Sequence, residues 1–87
     1  MNIIRTIRAM TSWSERLRRE SVIIGFVPTM GALHDGHRAL IRAARLRCDA
    51  LVVSIFVNPA QFGPREDLTR YPRPIAKDRA LCREEGV

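Results

Sequence analysis

Val22-Ile23-Ile24-Gly25-Phe26-Val27 and Leu51-Val52-Val53-Ser54-Ile55-Phe56-Val57 are two short apolar runs rich in β-branched residues. Runs of this kind read as strands buried on both faces, the pattern of a parallel sheet. Between them a helical repeat extends from about His34 or Asp35 to Arg47. Leu40, Ala43, Ala44 and Arg47 give it 3.6-residue spacing, with Leu33 and Ile41 flanking. Two buried strands joined by a helix form a right-handed βαβ crossover, so the strands are expected to run parallel.

Working outward, Thr11 or Ser12 can cap an earlier helix that runs to about Arg19. Glu15 stands three residues after Ser12, the capping-box spacing, and Trp13 and Leu17 form the apolar stripe. Residues 58–74 carry four prolines and one glycine and read as a loop. A last helix is expected from about Pro74 to Glu85, with Pro74 in its first turn and Gly86 as its C-terminal cap. The order α-β-α-β-loop-α describes an α/β unit whose two strands leave both hydrophobic edges open. The expectation is that residues 1–87 form the N-terminal part of a larger doubly wound, Rossmann-like domain, or that strands of another copy complete it.

Composition narrows the function classes. The 87 residues are 46% apolar and 28% charged, a globular balance for one domain. Cys48 and Cys82 are too few for a disulfide framework and fit a reduced, cytoplasmic setting. No apolar run approaches the ~18 residues of a membrane span, and Arg5 and Arg8 interrupt the only early apolar stretch. Met1 to Trp13 is rich in Arg and free of acids, as in an organellar transit peptide, but Glu15 and Glu20 follow at once. The net charge is +6, all of it in residues 1–47, where nine Arg face three acids. That asymmetry points to anionic partners. No aromatic residues interleave with the arginines, so a small basic RNA-binding module ranks below a site for phosphorylated small molecules.

The chemistry gathers after the first strand. Neither G-x-G-x-x-G nor G-x-x-x-x-G-K-[ST] is present. Instead Pro28-Thr29-Met30-Gly31-Ala32-Leu33-His34-Asp35-Gly36-His37 leads from strand to helix. In open α/β sheets ligands bind at this carboxyl end, and a helix start offers free N–H groups to phosphate. His34 and His37, three apart, share one face of the first turn and can both point at one anion. Gly31 lets the chain turn, and Gly36 leaves room for a base or sugar to approach. Asn58, Gln61 and Phe62 follow the second strand and should face the same cleft, Gln61 with two donors and an acceptor. No Ser/His/Asp or Cys/His arrangement appears. A zinc site is disfavoured because Cys48 lies at the far end of the helix, about 16–20 Å from the His pair. Asp78 reads as a helix-surface acid beside Arg79.

P-T-M-G-x-L-H-x-G-H followed by S-I-F-V-N-P-x-Q-F resembles the pantoate–β-alanine ligase (pantothenate synthetase) family over nearly the whole chain, with no departure in either motif. The shorter H-x-G-H is shared with the wider HIGH-type nucleotidyltransferases, the competing reading. The resemblance implies ATP-dependent joining of (R)-pantoate to β-alanine through a pantoyl adenylate, with Mg²⁺, releasing AMP and pyrophosphate on the way to coenzyme A. It implies that Met30, Gly31, Ala32, Leu33, His34, Asp35, Gly36 and His37 line the ATP site, with His37 a proton donor and His34 a second catalytic contact. Gln61, with Pro28, Thr29, Met30, Asn58 and Phe62, would hold pantoate and β-alanine. Asp78 is a minor candidate for Mg²⁺, and no protein-held metal site is assigned. Further implied are a homodimer, a lysine-bearing phosphate loop and a C-terminal domain absent from these residues. On that basis the 87 residues alone are expected to bind ATP weakly and to show no turnover.

Overall fold

A computed structural model describes residues 1–57 and 74–87. Among the described residues five elements follow one another: α1 (Ile7–Arg19), β1 (Ile24–Thr29), α2 (Asp35–Arg45), β2 (Ala50–Ile55) and α3 (Ile75–Glu84). β1 and β2 pair in parallel, from Ile24 opposite Ala50 to Thr29 opposite Ile55. The α/β order and the parallel pairing are as the apolar runs predict. The loop expected over residues 58–74 lies outside the described residues up to 73. β1 runs past the apolar run that ends at Val27, so that Pro28 is its fifth residue. A proline is tolerated there because a strand at a sheet edge does not require every N–H.

α1 begins earlier than the Ser12 reading predicts. Thr6, extended at φ −127° and ψ 150°, accepts the N–H of Ala9 on its hydroxyl at 3.1 Å and is the true N-cap. Ser12 lies inside the helix, so its capping-box spacing with Glu15 is coincidental. At the other end Ser21 N–H donates to the Arg18 carbonyl and Val22 N–H to that of Leu17, the Schellman pair of bonds. That turn needs a left-handed residue, and Ser21 adopts φ 60°. α3 closes with the same two bonds around Gly86, at φ 78°. Ser21 therefore carries steric strain that Gly86 avoids. Ser21→Gly is expected to raise stability by about 0.5 kcal/mol, the relief of strain less the backbone entropy of glycine. A thermal melt with an unchanged or lower midpoint would refute it.

Val27, Ile41, Leu51 and Leu81 form the core, with Leu33, Ala44, Cys48, Val53 and Val87 packed around them. Among the described residues Ile41 alone is completely buried. This corrects the phase of the helical repeat. Leu40, its expected first member, is 59% exposed, while His37, Ile41 and Ala44 turn toward the sheet at i, i+4 and i+7. The strands are also less enclosed than expected. Only Val27 and Leu51 are buried on them, and Phe26 is 55% exposed, because the described helices cover little of the sheet. Gly25 lets the connection after α2 lie close to β1. A Cβ there would meet Cys48 Sγ at 2.8 Å. Cys48 accordingly sits past α2, which ends at Arg45, rather than at its last turn.

An ion-pair cluster ties α2 to the end of α3. Glu85, whose side chain is 8% exposed, accepts from Arg42 Nε at 2.8 Å and from Arg38 Nη1 at 2.8 Å, while Arg38 also reaches Glu84 at 3.0 Å. Hydrogen bonds from Arg42 and then Arg38 hold the Glu85 carboxyl at about 2, below its ordinary 4.5. A carboxylate with a lowered native pKa stabilises the fold above its unfolded value and loses that contribution as it protonates. The contribution should thus be complete above pH 4.5 and vanish as pH falls toward 2. Urea midpoints measured across that window should fall in the wild type and run flatter in Glu85→Gln. Parallel curves would show that the cluster is not linked to folding.

Candidate functional site at the start of α2

Five backbone N–H groups between Gly31 and Gly36 are tied down inside the turn from β1 to α2. Thr29 begins it: its hydroxyl donates to the Ser54 carbonyl at 2.8 Å and accepts Gly31 N–H at 3.2 Å. Gly31 follows at φ 87° and Ala32 at φ 52°, two successive left-handed residues. Gly31 is required twice over, by its φ and because a Cβ would meet Ile55 Cγ2 at 3.1 Å and Asp78 Oδ2 at 3.2 Å. Ala32 and Leu33 N–H then donate to the two oxygens of Asp78, at 3.0 and 2.8 Å.

The two histidines cap the helix reciprocally. His34, extended at φ −140°, is the N-cap, and its Nδ1 accepts Gly36 N–H at 3.1 Å. His37 reaches back so that its Nδ1 accepts His34 N–H, also at 3.1 Å. The arrangement is a capping box built from imidazoles in place of the usual hydroxyl and carboxyl groups. An acceptor Nδ1 assigns the proton of a neutral ring to Nε2. Each ring thus keeps an Nε2–H donor clear of the cap. The ring centroids lie 4.1 Å apart. His34 is exposed and His37 half-buried. Burial first, then the neighbouring His34, lower the His37 pKa from 6.5, and Asp78 opposes them. A lowered imidazole pKa favours the fold above 6.5 and less so as pH falls. The same change in pH breaks the cap, since a protonated Nδ1 cannot accept. Gly36 has a reason beyond access for a ligand: a Cβ there would lie 2.9 Å from His34 Cε1, so the ring folds over the space a side chain would fill.

Asp78 is the residue that sequence reasoning placed wrongly. Rather than a surface acid it is 2% exposed, on the first turn of α3. No local signal marks this, because the groups that Asp78 satisfies lie 45 and 46 residues away in sequence. The sequence thus brings together the turn after β1, the end of β2 and the start of α3. A cavity of about 470 Å³ opens among them, lined by Met30, Gly31, Ile55, Phe56, Val57, Ile75 and Asp78. A larger hollow of about 750 Å³ runs between the N-terminal segment, β2 and α3. Neither hollow is lined by a histidine, and the smaller cavity is the one at the carboxyl ends of the strands. Of the residues expected to hold pantoate, Pro28 is exposed and the Thr29 hydroxyl is engaged as described. Asn58, Gln61 and Phe62 lie outside the described residues. Cys48 and Cys82 are both unpaired with sulfur, and Cys82 is buried. Among the described residues no three His, Cys, Asp or Glu side chains gather as a metal site, and no helix is long and apolar enough to cross a membrane.

Comparison with known proteins agrees with the motif. The family model for pantoate-beta-alanine ligase matches residues 2–87. The pantothenate synthetase of Thermotoga neapolitana is 56% identical over all 87 residues, and that of Carboxydothermus hydrogenoformans 53%. The chain spans 31% of the length of either relative. The crystal structure of pantothenate synthetase from Thermus thermophilus superimposes with a TM-score of 0.71 at 58% identity, over 75% of this chain and 24% of that one. Matched from its second residue to its last, and more than half identical to these relatives, the chain belongs to the pantoate–β-alanine ligase family.

Proposed function

We propose that the chain supplies the nucleotide-binding half of a site that joins pantoate to β-alanine at the expense of ATP. The observation that carries this reading is the imidazole capping box: both Nδ1 atoms accept helix N–H groups, which leaves two Nε2–H donors on the one helix turn that follows β1. A carboxylate does not acylate an amine unaided. In the proposed sequence a pantoate carboxylate oxygen bonds to the α-phosphorus of ATP and the bond to pyrophosphate breaks. The β-alanine amine then adds to the activated carbonyl, AMP leaves with the electrons of the acyl–oxygen bond, and the amine sheds a proton. His34 and His37 would donate hydrogen bonds to the phosphate oxygens as charge gathers there, and the basic N-terminal half would draw the anions in. No protein nucleophile is needed. Gln61, Asn58 and Phe62 would hold the pantoate side.

Mg²⁺ would accompany ATP. Among the described residues no group of three His, Cys, Asp or Glu could hold a metal ion, and each Asp78 oxygen accepts a backbone N–H. A cytoplasmic homodimer belongs to the same proposal. The 87 residues expressed by themselves should bind ATP weakly and make no pantothenate, as they span under a third of the relatives' length. In the natural polypeptide that carries them, labelled pyrophosphate should exchange into ATP only when pantoate is added. Exchange driven by a phosphorylated acceptor, and indifferent to pantoate, would instead identify another H-x-G-H nucleotidyltransferase.

A further inference from the structure

We infer that Asp78 is a positioning residue for the His34–His37 pair, holding from α3 the left-handed turn that carries both imidazoles. The inference rests on the reading of that pair as the phosphate-facing part of the site. A carboxylate that is 2% exposed must be satisfied inside the protein. Among the described residues no Lys or Arg pairs with it. Its partners are the N–H groups of Ala32 and Leu33, at 3.0 and 2.8 Å and 45 to 46 residues away in sequence. Bonds to an ionised acceptor are about twice as strong as neutral ones. They fall on the part of the turn that most needs support. Ala32 holds φ 52°, a conformation that alanine leaves unless its surroundings impose it. Leu33 is the residue just before the N-cap, and its side chain packs against the core. Fixing these two amides fixes where His34 starts the helix, and with it the reciprocal cap to His37.

The negative charge also reaches His37, where it works against burial and against His34. Asp78 therefore acts on the site in two ways, by placing the turn and by its field at the imidazole. A glutamate would be too long for the space, since a Cβ on Gly31 would already lie 3.2 Å from Asp78 Oδ2. Asparagine fits the space but turns an NH₂ toward one of the two backbone N–H groups. That mismatch makes Asp78→Asn the informative change.

The test uses the natural polypeptide, with three readouts. In Asp78→Asn the amides of Ala32 and Leu33 should exchange with solvent at least about tenfold faster, the loss of one good hydrogen bond. His37, followed by NMR on labelled imidazole, should titrate lower than in the wild type. Pantoate-dependent ATP–pyrophosphate exchange should lose about 10²-fold in kcat, as for a misplaced catalytic group. Its KM for pantoate should stay within about twofold, because the variant disturbs the nucleotide side. Cys82→Ala, one turn along the same buried face of α3, is the control for mere destabilisation. If Cys82→Ala reproduces the local amide and His37 changes, Asp78 is only part of the packing and the inference fails. If Asp78→Asn does not fold, the wild type decides: protected Ala32 and Leu33 amides sustain the inference, and freely exchanging ones overturn it. Absence of pantoate-dependent exchange in the wild type would remove the proposed reaction, while the amide and imidazole readouts would still judge Asp78.

Discussion

His37→Ala is expected to slow pantoate-dependent ATP–pyrophosphate exchange by about 10²–10³-fold, the range for losing a positioned proton donor. Two losses would be mixed in that number. The imidazole supplies an Nε2–H toward the phosphates, and its Nδ1 also closes the cap by accepting His34 N–H at 3.1 Å. Alanine removes both, leaving an orphan helix donor at a cost of about 1 kcal/mol. His37→Gln separates them. Glutamine at the third helical position is an ordinary capping-box partner, so its side-chain oxygen can take over the bond to His34 N–H. It does not reproduce an imidazole Nε2–H at the same place.

The expected pattern is therefore a stability near wild type for His37→Gln, a measurable drop for His37→Ala, and a similar loss of exchange in both. Urea unfolding and the exchange assay, run on the same preparations, check the two axes independently. Full exchange in His37→Gln would mean that the residue serves the helix and not the reaction. A fall in stability equal to that of alanine would mean that the box does not accept glutamine, and that the turn is held mainly from Asp78.

How much of this was legible beforehand depended on how local each cause was. The strands and the crossover could be read because β-branched runs and a 3.6-residue repeat are local signals. The spacing of His34 and His37 placed them on one helix turn, and they are there. Their use of Nδ1 for capping was not foreseen, because Ser, Thr and Asp are the habitual caps. The start of α1 was misplaced for a related reason: the capping-box spacing of Ser12 with Glu15 points to residues inside the helix, and Thr6, the N-cap, carries no such spacing. Asp78 was out of reach of local reading. Its partners lie 45 and 46 residues upstream, and only tertiary packing brings them together. Gln61 lies outside the described residues.

The phase of α2 was the subtler error, and it leads to the largest effect on stability. A repeat through Leu40, Ala43, Ala44 and Arg47 turns the helix about one residue away from its true buried face. Ile41 is fully enclosed, whereas Leu40 is 59% exposed. Ile41→Ala should cost about 2–5 kcal/mol through lost burial and the cavity left behind. A domain of this size has only about 4–13 kcal/mol in total, so the variant should sit near its unfolding limit. Leu40→Ala should shift the urea midpoint by less than about 0.5 kcal/mol equivalent, as at other surface sites. Ile41 also lies one turn after His37, so its loss loosens the helix face that carries the imidazole. Exchange activity in Ile41→Ala should then fall with temperature in step with unfolding and recover on cooling, which a purely chemical lesion such as His37→Gln would not do. If Leu40→Ala proved the more damaging of the two, the helix would be rotated from the position described, and the cap geometry built on its first turn would fall with it.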